Sequence, residues 1–123
     1  MSDLVLGHFQ DFKGSDTILL SCSRIGVERL LRELGAAEAS PVALHLICQV
    51  TPKHPTTLFA AGKPVAGNVT WVVPTSELPG VSEMLQSLAR TDQGHQFFDL
   101  QGSSATLVVS LNEYNEEWWR AHA

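Results

Sequence analysis

The spacing of apolar and polar residues divides the first third of the chain into two strands and a helix. Segments 4–12 and 17–22 are strand-like and flank a turn at 13–16, which predicts a hairpin. Ser23 is placed as the N-cap of a first helix, and Gly35 is placed to end it. The apolar stripe of this helix has the spacing of one helical face and comprises Val27, Leu30, Leu31 and Leu34.

The middle of the chain predicts three further strands around a proline-rich break. Segment 42–50 carries apolar residues on both faces, which predicts a long central strand. Two prolines interrupt regular structure over 51–55, and a short strand is expected over 56–60. A seam over 62–67 then leads into a strand over 68–73.

The last part of the chain predicts a second helix followed by a second hairpin. Ser76 and Pro79 stand where a helix begins, because proline is tolerated in a first turn. Segments 95–100 and 105–110 are expected to pair across a four-residue connection at 101–104. The inward residues of the second helix are Val81, Met84, Leu85 and Leu88.

The two halves of the chain show a weak sequence similarity to each other. Segment 26–34 (GVERLLREL) reads almost in register with segment 80–88 (GVSEMLQSL). A repeated βαββ unit cannot bury its apolar face alone, so the halves, about 1–63 and 64–123, are expected to form a single domain over residues 1–123. The predicted fold class is α+β, with duplicated βαββ-like units in one mixed or antiparallel sheet, two helices on one face, and a short C-terminal helix.

Composition and charge narrow the classes of partner. The chain has 123 residues and a formal net charge of −5, with only 8 Lys and Arg residues, which argues against nucleic-acid and anionic membrane surfaces. The N-terminus lacks the pattern of a signal peptide, and no apolar stretch approaches the roughly 20 residues of a membrane span, so a cytoplasmic location is expected. Cys22 and Cys48 lie in apolar runs and are expected to be buried thiols, with a disulfide or a reactive thiol as the alternatives.

The histidines do not form a recognisable catalytic or metal-binding motif. The sequence has no HExxH, no CxxC and no paired histidines at helical spacing, so no metal, cofactor or catalytic residue is predicted. His45 is expected to be a core residue and His54 a solvated loop residue. His95 and Asp99 would lie about 13 Å apart along a strand, so they are not expected to contact each other as an acid–base pair. A nucleophile–base pair of Cys22 with His45 or His95 remains an alternative.

The C-terminal third is acidic and aromatic. Positions 91–123 hold five carboxylates and one arginine, which suits a basic partner, although a solvated acidic surface is the alternative. Aromatic residues next to acids are typical of an anchor for a basic protein surface. The candidate partner-binding residues are Glu113, Tyr114, Glu116, Glu117, Trp118, Trp119, Asp92 and Asp99.

The last helix is predicted from a capping pattern. Ser110 is followed three residues later by Glu113, as in a capping box, so a short helix to Arg120 is expected. Successive helical positions turn by about 100°, so one of Trp118 and Trp119 is expected to be largely exposed or to meet a partner. Alternatively the glutamates stabilise the helix dipole and one tryptophan closes the edge of the core.

Three short motifs follow one another in this acidic region. They are GHQFFD at 94–99, LVVS at 107–110 and the pair Glu113-Tyr114. Together they resemble the C-terminal pattern of small bacterial immunity proteins that accompany polymorphic or contact-dependent toxins. The resemblance implies a non-enzymatic cytoplasmic inhibitor of a toxin, in which His95 and Tyr114 tie the last hairpin to the last helix. The first alternative is a subunit or interaction module of another complex, and the second is a small-ligand binder or enzyme.

Overall fold

The computed structural model describes residues 3–12, 14–36, 42–47, 49–50, 68–73, 75–100 and 105–122. The strands are β1 (Leu4–Phe12), β2 (Ser15–Cys22), β3 (Val42–Ile47), β4 (Gln49–Val50), β5 (Asn68–Val73), β6 (Gly94–Asp99) and β7 (Thr106–Leu111). The helices are α1 (Arg24–Ala36), α2 (Leu78–Ala89) and α3 (Glu116–His122), and a 3₁₀ turn (Thr75–Glu77) precedes α2. The predicted strand 56–60 and seam 62–67 lie outside the described residues.

The described strands form two sheets. A five-stranded mixed sheet has the order β4-β1-β2-β7-β6, and β3 pairs with β5 in a separate antiparallel sheet. The hairpins β1–β2 and β6–β7 are antiparallel as predicted, whereas β2 and β7 run parallel. The α+β class and the mixed sheet are therefore confirmed, but the prediction of one composite sheet is wrong.

The predicted central strand 42–50 is divided between the two sheets. Its first part, β3, pairs with β5, and its second part, β4, is the outermost strand beside β1. The prediction of a central strand is wrong because hydrophobic periodicity reports burial and says nothing about strand order. The central strands of the large sheet are β1, β2 and β7, and β2 is buried from Thr17 to Cys22.

One face of the large sheet packs against α1 and α2. Side chains of both helices share one buried cluster with alternate residues of β1, β2 and β7, which confirms two helices on one face. Leu30 is fully buried, whereas Leu31 and Met84 are only partly buried. The inward-facing members of α2 are Val81, Leu85 and Leu88, as expected.

The ends of the helices differ from the prediction in detail. The backbone N–H of Gly26 donates to Ser23 Oγ over 3.1 Å, so Ser23 caps α1 as expected, but the helix runs through Gly35 to Ala36. α2 begins with Pro79 in its first turn and has no side-chain cap, so Ser76 does not cap it.

The described residues do not show the internal duplication that the sequence similarity predicted. Both halves contain a strand, a helix and two strands in that order (β2-α1-β3-β4 and β5-α2-β6-β7), but β3 and β4 lie in different sheets, whereas β6 and β7 pair as a hairpin. The similarity between 26–34 and 80–88 reflects the spacing of apolar residues that any helix needs in order to bury one apolar stripe.

The opposite face of the large sheet is covered by α3 and a group of aromatic rings. Trp119 is buried against Val5, Leu19 and Val108. The remaining rings, which we name the aromatic cover, are half-buried around this contact: Phe9, Phe12, Tyr114 and Trp118. Two layers of side chains therefore enclose the sheet, and α3 brings the acidic C-terminal residues onto it.

Candidate functional site

The candidate site lies where the parallel strands β2 and β7 end. Their last residues, Cys22 and Leu111, are register partners, and the chain leaves the sheet there toward α1 and α3. Asn112 adopts a left-handed backbone conformation (φ 58°), and its N–H donates to the Cys22 carbonyl over 3.0 Å. In open α/β sheets, ligands bind in the crevice outside the carboxyl ends of the strands, and the parallel pair β2–β7 presents an edge of the same kind.

A pocket of about 320 Å³ opens at this point, which we name the β2–β7 pocket. Its charged lining residue is Glu116, and the others contribute hydroxyl, amide and backbone groups. Ser21 Oγ donates to the Tyr114 carbonyl over 3.2 Å, which fixes one wall. The lining residues are Ser21, Cys22, Ser23, Asn112, Tyr114, Asn115 and Glu116. A pocket rich in acceptors with a carboxylate at its side suits a cationic group.

The helix that carries the acids is capped differently from the prediction. Asn115 Oδ1 accepts the N–H of Trp118 over 2.8 Å, and α3 begins at Glu116. Ser110 is part of β7 and caps no helix, so the capping-box interpretation is wrong. The spacing of Ser110 and Glu113 instead serves a side-chain hydrogen bond, because Ser110 Oγ donates to Glu113 Oε1 over 2.6 Å.

Glu113 joins the hairpin β6–β7 to the segment that leads into α3. His95 Nδ1 lies 3.0 Å from Glu113 Oε1, and His95 is the register partner of the fully buried Ser110. In a nucleophilic triad the imidazole contacts the serine, whereas here the carboxylate lies between them. The motif resemblance implied that His95 ties the last hairpin to the last helix, and the structure gives His95 a partner, Glu113, in the segment before α3. The part of Ser110 was not predicted, although the hairpin register that pairs positions 95 and 110 contained the signal.

Loss of the Glu113 carboxylate should destabilise the fold through Ser110. Glu113→Ala would leave the buried Ser110 hydroxyl without its acceptor, and we expect the free energy of unfolding to fall by about 1–3 kcal/mol. Glu113→Gln retains an oxygen acceptor and should cost less, and Glu117→Ala, at an exposed position, should change little. Urea unfolding measures all three variants, and an equal loss for Glu113→Ala and Glu117→Ala would contradict the role given to this network.

The two tryptophans of α3 are both packed. Trp119 is buried, and the half-buried Trp118 has ring centroids 4.6 Å from Tyr114 and 5.8 Å from Phe9. The expectation that one of them is largely exposed is wrong for the chain alone. The two tryptophan rings contact each other edge to face, with centroids 5.2 Å apart. Phe9 and Phe12 from β1 supply an apolar surface for Trp118 that the helix alone does not reveal.

The acids of the predicted set do not all lie in the same part of the molecule. Asn112 Nδ2 donates to the Asp92 carbonyl over 2.9 Å, which places Asp92 beside the segment that carries Glu113 to Glu117. Asp99 is at the other end of β6, about 16 Å along the strand from Gly94. The structure therefore brings the candidate residues together except for Asp99.

Two arginines partly compensate these carboxylates. Arg24 lies 3.9 Å from Asp92, and Arg120 lies 3.3 Å from Glu116, each at exposed positions. Within the described residues Glu117 makes no ion pair. Exposed pairs of this kind contribute little to stability, so the carboxylates remain available to a partner.

The other groups singled out in the sequence do not converge. Cys22 is buried and its Sγ donates to the Leu20 carbonyl, while Cys48, His54 and the side chain of His45 lie outside the described residues. In the described ranges no three His, Cys, Asp or Glu side chains are grouped as a metal site would require. None of the described helices has the length and apolar character needed to cross a membrane.

Comparison of the chain with protein-family models, with curated proteins and with solved structures gives no significant match.

Proposed function

We propose that this chain is a non-enzymatic, immunity-type binding protein that inhibits a bacterial toxin by covering a basic surface of it. The observation that carries the proposal is the β2–β7 pocket, with Glu116 in its wall and the exposed Glu117 in the same helical turn. The resemblance of 94–99, 107–110 and Glu113-Tyr114 to immunity proteins supports the same function.

The pocket suits a lysine or arginine side chain of the partner. Its wall offers hydroxyl and amide oxygens for the donors of a cationic head, and Glu116 supplies the compensating charge. The exposed Asp92 and Glu117 extend the negative surface beyond the pocket. Such a surface accelerates the encounter with a basic partner and makes the association rate sensitive to salt.

The aromatic cover provides the apolar part of the proposed interface. Tyr114 lines the pocket and also packs on Trp118, so an apolar shoulder adjoins the acidic groups. Interfaces commonly combine buried aromatic anchors with a polar rim. The half-buried Trp118 would lose its remaining exposure when the partner binds.

A small organic cation is the second candidate ligand. The pocket volume of about 320 Å³ lies at the lower end of the range for small-molecule sites, and its position at the strand ends is one where such ligands bind. Calorimetric titration with agmatine distinguishes the two candidates. Micromolar binding of agmatine by a chain that does not inhibit a toxin would favour the small-ligand function.

Charge reversal on α3 should slow binding to the toxin. The probe is the protein encoded by the reading frame next to the gene for this chain. We expect Glu116→Lys/Glu117→Lys to lower the association rate constant at least tenfold at low salt and to flatten its salt dependence.

The matched control is Glu28→Lys/Glu83→Lys, which changes the net charge equally but alters exposed positions on α1 and α2. Surface plasmon resonance at two salt concentrations gives the rates, and thermal melting verifies that each variant is folded. Equal association rates for both double variants would contradict the proposed surface.

A further inference from the structure

A second pocket, of about 270 Å³, lies between the two sheets. Its walls come from β5 on one side and β6 on the other, and residues of α2 complete it. We name it the β5–β6 slot; it is lined by Trp71, Val73, Glu77, Gly80, Val81, Met84, Phe97, Phe98 and Asp99. None of these residues belongs to α3 or to the β2–β7 pocket, so the slot is separate from the surface of the proposed function.

Both strands that border the slot are outer strands of their sheets. Within the described residues, β6 is paired only with β7, and β5 is paired only with β3. Each strand therefore has backbone N–H and C=O groups on the side away from its partner. Outer strands are usually protected by lysine or proline, but β6 (GHQFFD) has neither and exposes 59% of Phe97.

The interior of the slot is apolar and partly empty. The rings of Trp71 and Phe98 meet edge to face with centroids 5.3 Å apart, and both residues are buried. Gly80 faces open space, since a Cβ placed there would have no atom within 4 Å. The volume is below that of most small-molecule sites, so it matches a single apolar side chain better than a whole ligand.

The charges at the slot are of one sign. Glu77 and Asp99 are exposed carboxylates, and the lining residues include no lysine, arginine or histidine. The slot therefore combines an apolar interior with negative groups at its edge. A peptide segment in which lysine or arginine stands next to an apolar residue complements this arrangement.

We propose that the β5–β6 slot binds an extended basic segment of a partner protein, which pairs as an added strand with the edge of β6 that faces away from β7. An apolar side chain of the segment enters the slot, and flanking lysine or arginine side chains lie against Glu77 and Asp99. In this mode of recognition, backbone hydrogen bonds along the strand supply affinity and the pocket for alternate side chains supplies specificity.

Selection of peptides on the full chain tests this proposal. The probe is a displayed library of random twelve-residue peptides, counter-selected against Gly80→Leu, which adds a bulky side chain at a lining residue of the slot. Enriched peptides should alternate apolar and polar residues and be rich in lysine and arginine. Gly80→Leu should weaken their binding at least tenfold, whereas Gly80→Ala, which leaves most of the slot open, should retain it.

A second variant tests the charge argument without altering the interior. Asp99→Lys, at an exposed position, should lower the affinity of the selected peptides by several fold and remove the preference for basic residues when the selection is repeated. Backbone amide shifts measured by NMR should change first in β6.

Several results would overturn the inference. These are a selection without enrichment, enriched peptides that bind Gly80→Leu as tightly as the unaltered chain, and peptides without basic residues. A concentration-dependent dimer that Gly80→Leu abolishes, seen by analytical ultracentrifugation, would assign the slot to a second copy of this chain and would also overturn it.

Discussion

Replacing Leu30 or Leu85 with alanine is expected to lower the free energy of unfolding by about 2–5 kcal/mol. Both side chains are fully buried between the sheet and the two helices. Truncation removes the transfer free energy of the lost methyl groups and leaves a cavity that a well-packed core refills only in part. For a domain whose total stability is about 5–15 kcal/mol, either change removes a large fraction of it.

Leu31→Ala is the matched control for Leu30→Ala. It deletes the same atoms one position along α1, where the side chain is only partly buried, and should therefore cost much less. Guanidinium unfolding gives the three free energies. A larger loss at Leu31 than at Leu30 would show that α1 is rotated about its axis so that Leu31, not Leu30, faces the core.

Gly26→Ala is expected to destabilise the chain by about 3 kcal/mol, near the upper end of the usual overpacking range. A Cβ at this position would lie closer than 3.0 Å to the carbonyl oxygen of Asp3, which is backbone and has little freedom to move. The same carbonyl accepts the N–H of Ser23 over 3.0 Å, so a shift of Asp3 would also disturb the start of α1.

Gly35→Ala provides the control for that substitution. A Cβ at Gly35 meets no atom within 4 Å, and alanine favours a helix over glycine by up to about 1 kcal/mol, so this variant should be as stable as the unaltered chain or slightly more stable. Thermal and urea unfolding measure both. Equal stabilities for Gly26→Ala and Gly35→Ala would contradict the close packing of α1 on the N-terminal segment.

The helices and hairpins could be predicted because their signals are local. Val27 in α1 and Val81 and Leu85 in α2 are buried as their spacing requires, and both hairpins join strands that are neighbours in sequence. The parallel pairing of β2 with β7 joins segments that are distant in the chain, and no local pattern encodes it. The division of 42–50 between two sheets was missed for the same reason.

The candidate site was predicted only in outline. Sequence placed the acids and aromatic residues in one region, but the pocket beside Glu116 depends on the adjacency of β2 and β7. A serine three residues before a glutamate can begin a helix or form a side-chain bond, and the two outcomes look alike in sequence. Two of the rings that pack on Trp118, those of Phe9 and Phe12, come from β1 at the opposite end of the chain.

The most direct test of the proposed function is growth of bacteria that express the product of the adjacent reading frame. We expect that product to arrest growth, the intact chain to restore growth when co-expressed, and Glu116→Lys/Glu117→Lys to restore it poorly at equal protein level. The control Glu28→Lys/Glu83→Lys should restore growth fully. An adjacent product that does not affect growth, or an arrest that the intact chain does not relieve, would contradict the proposed function.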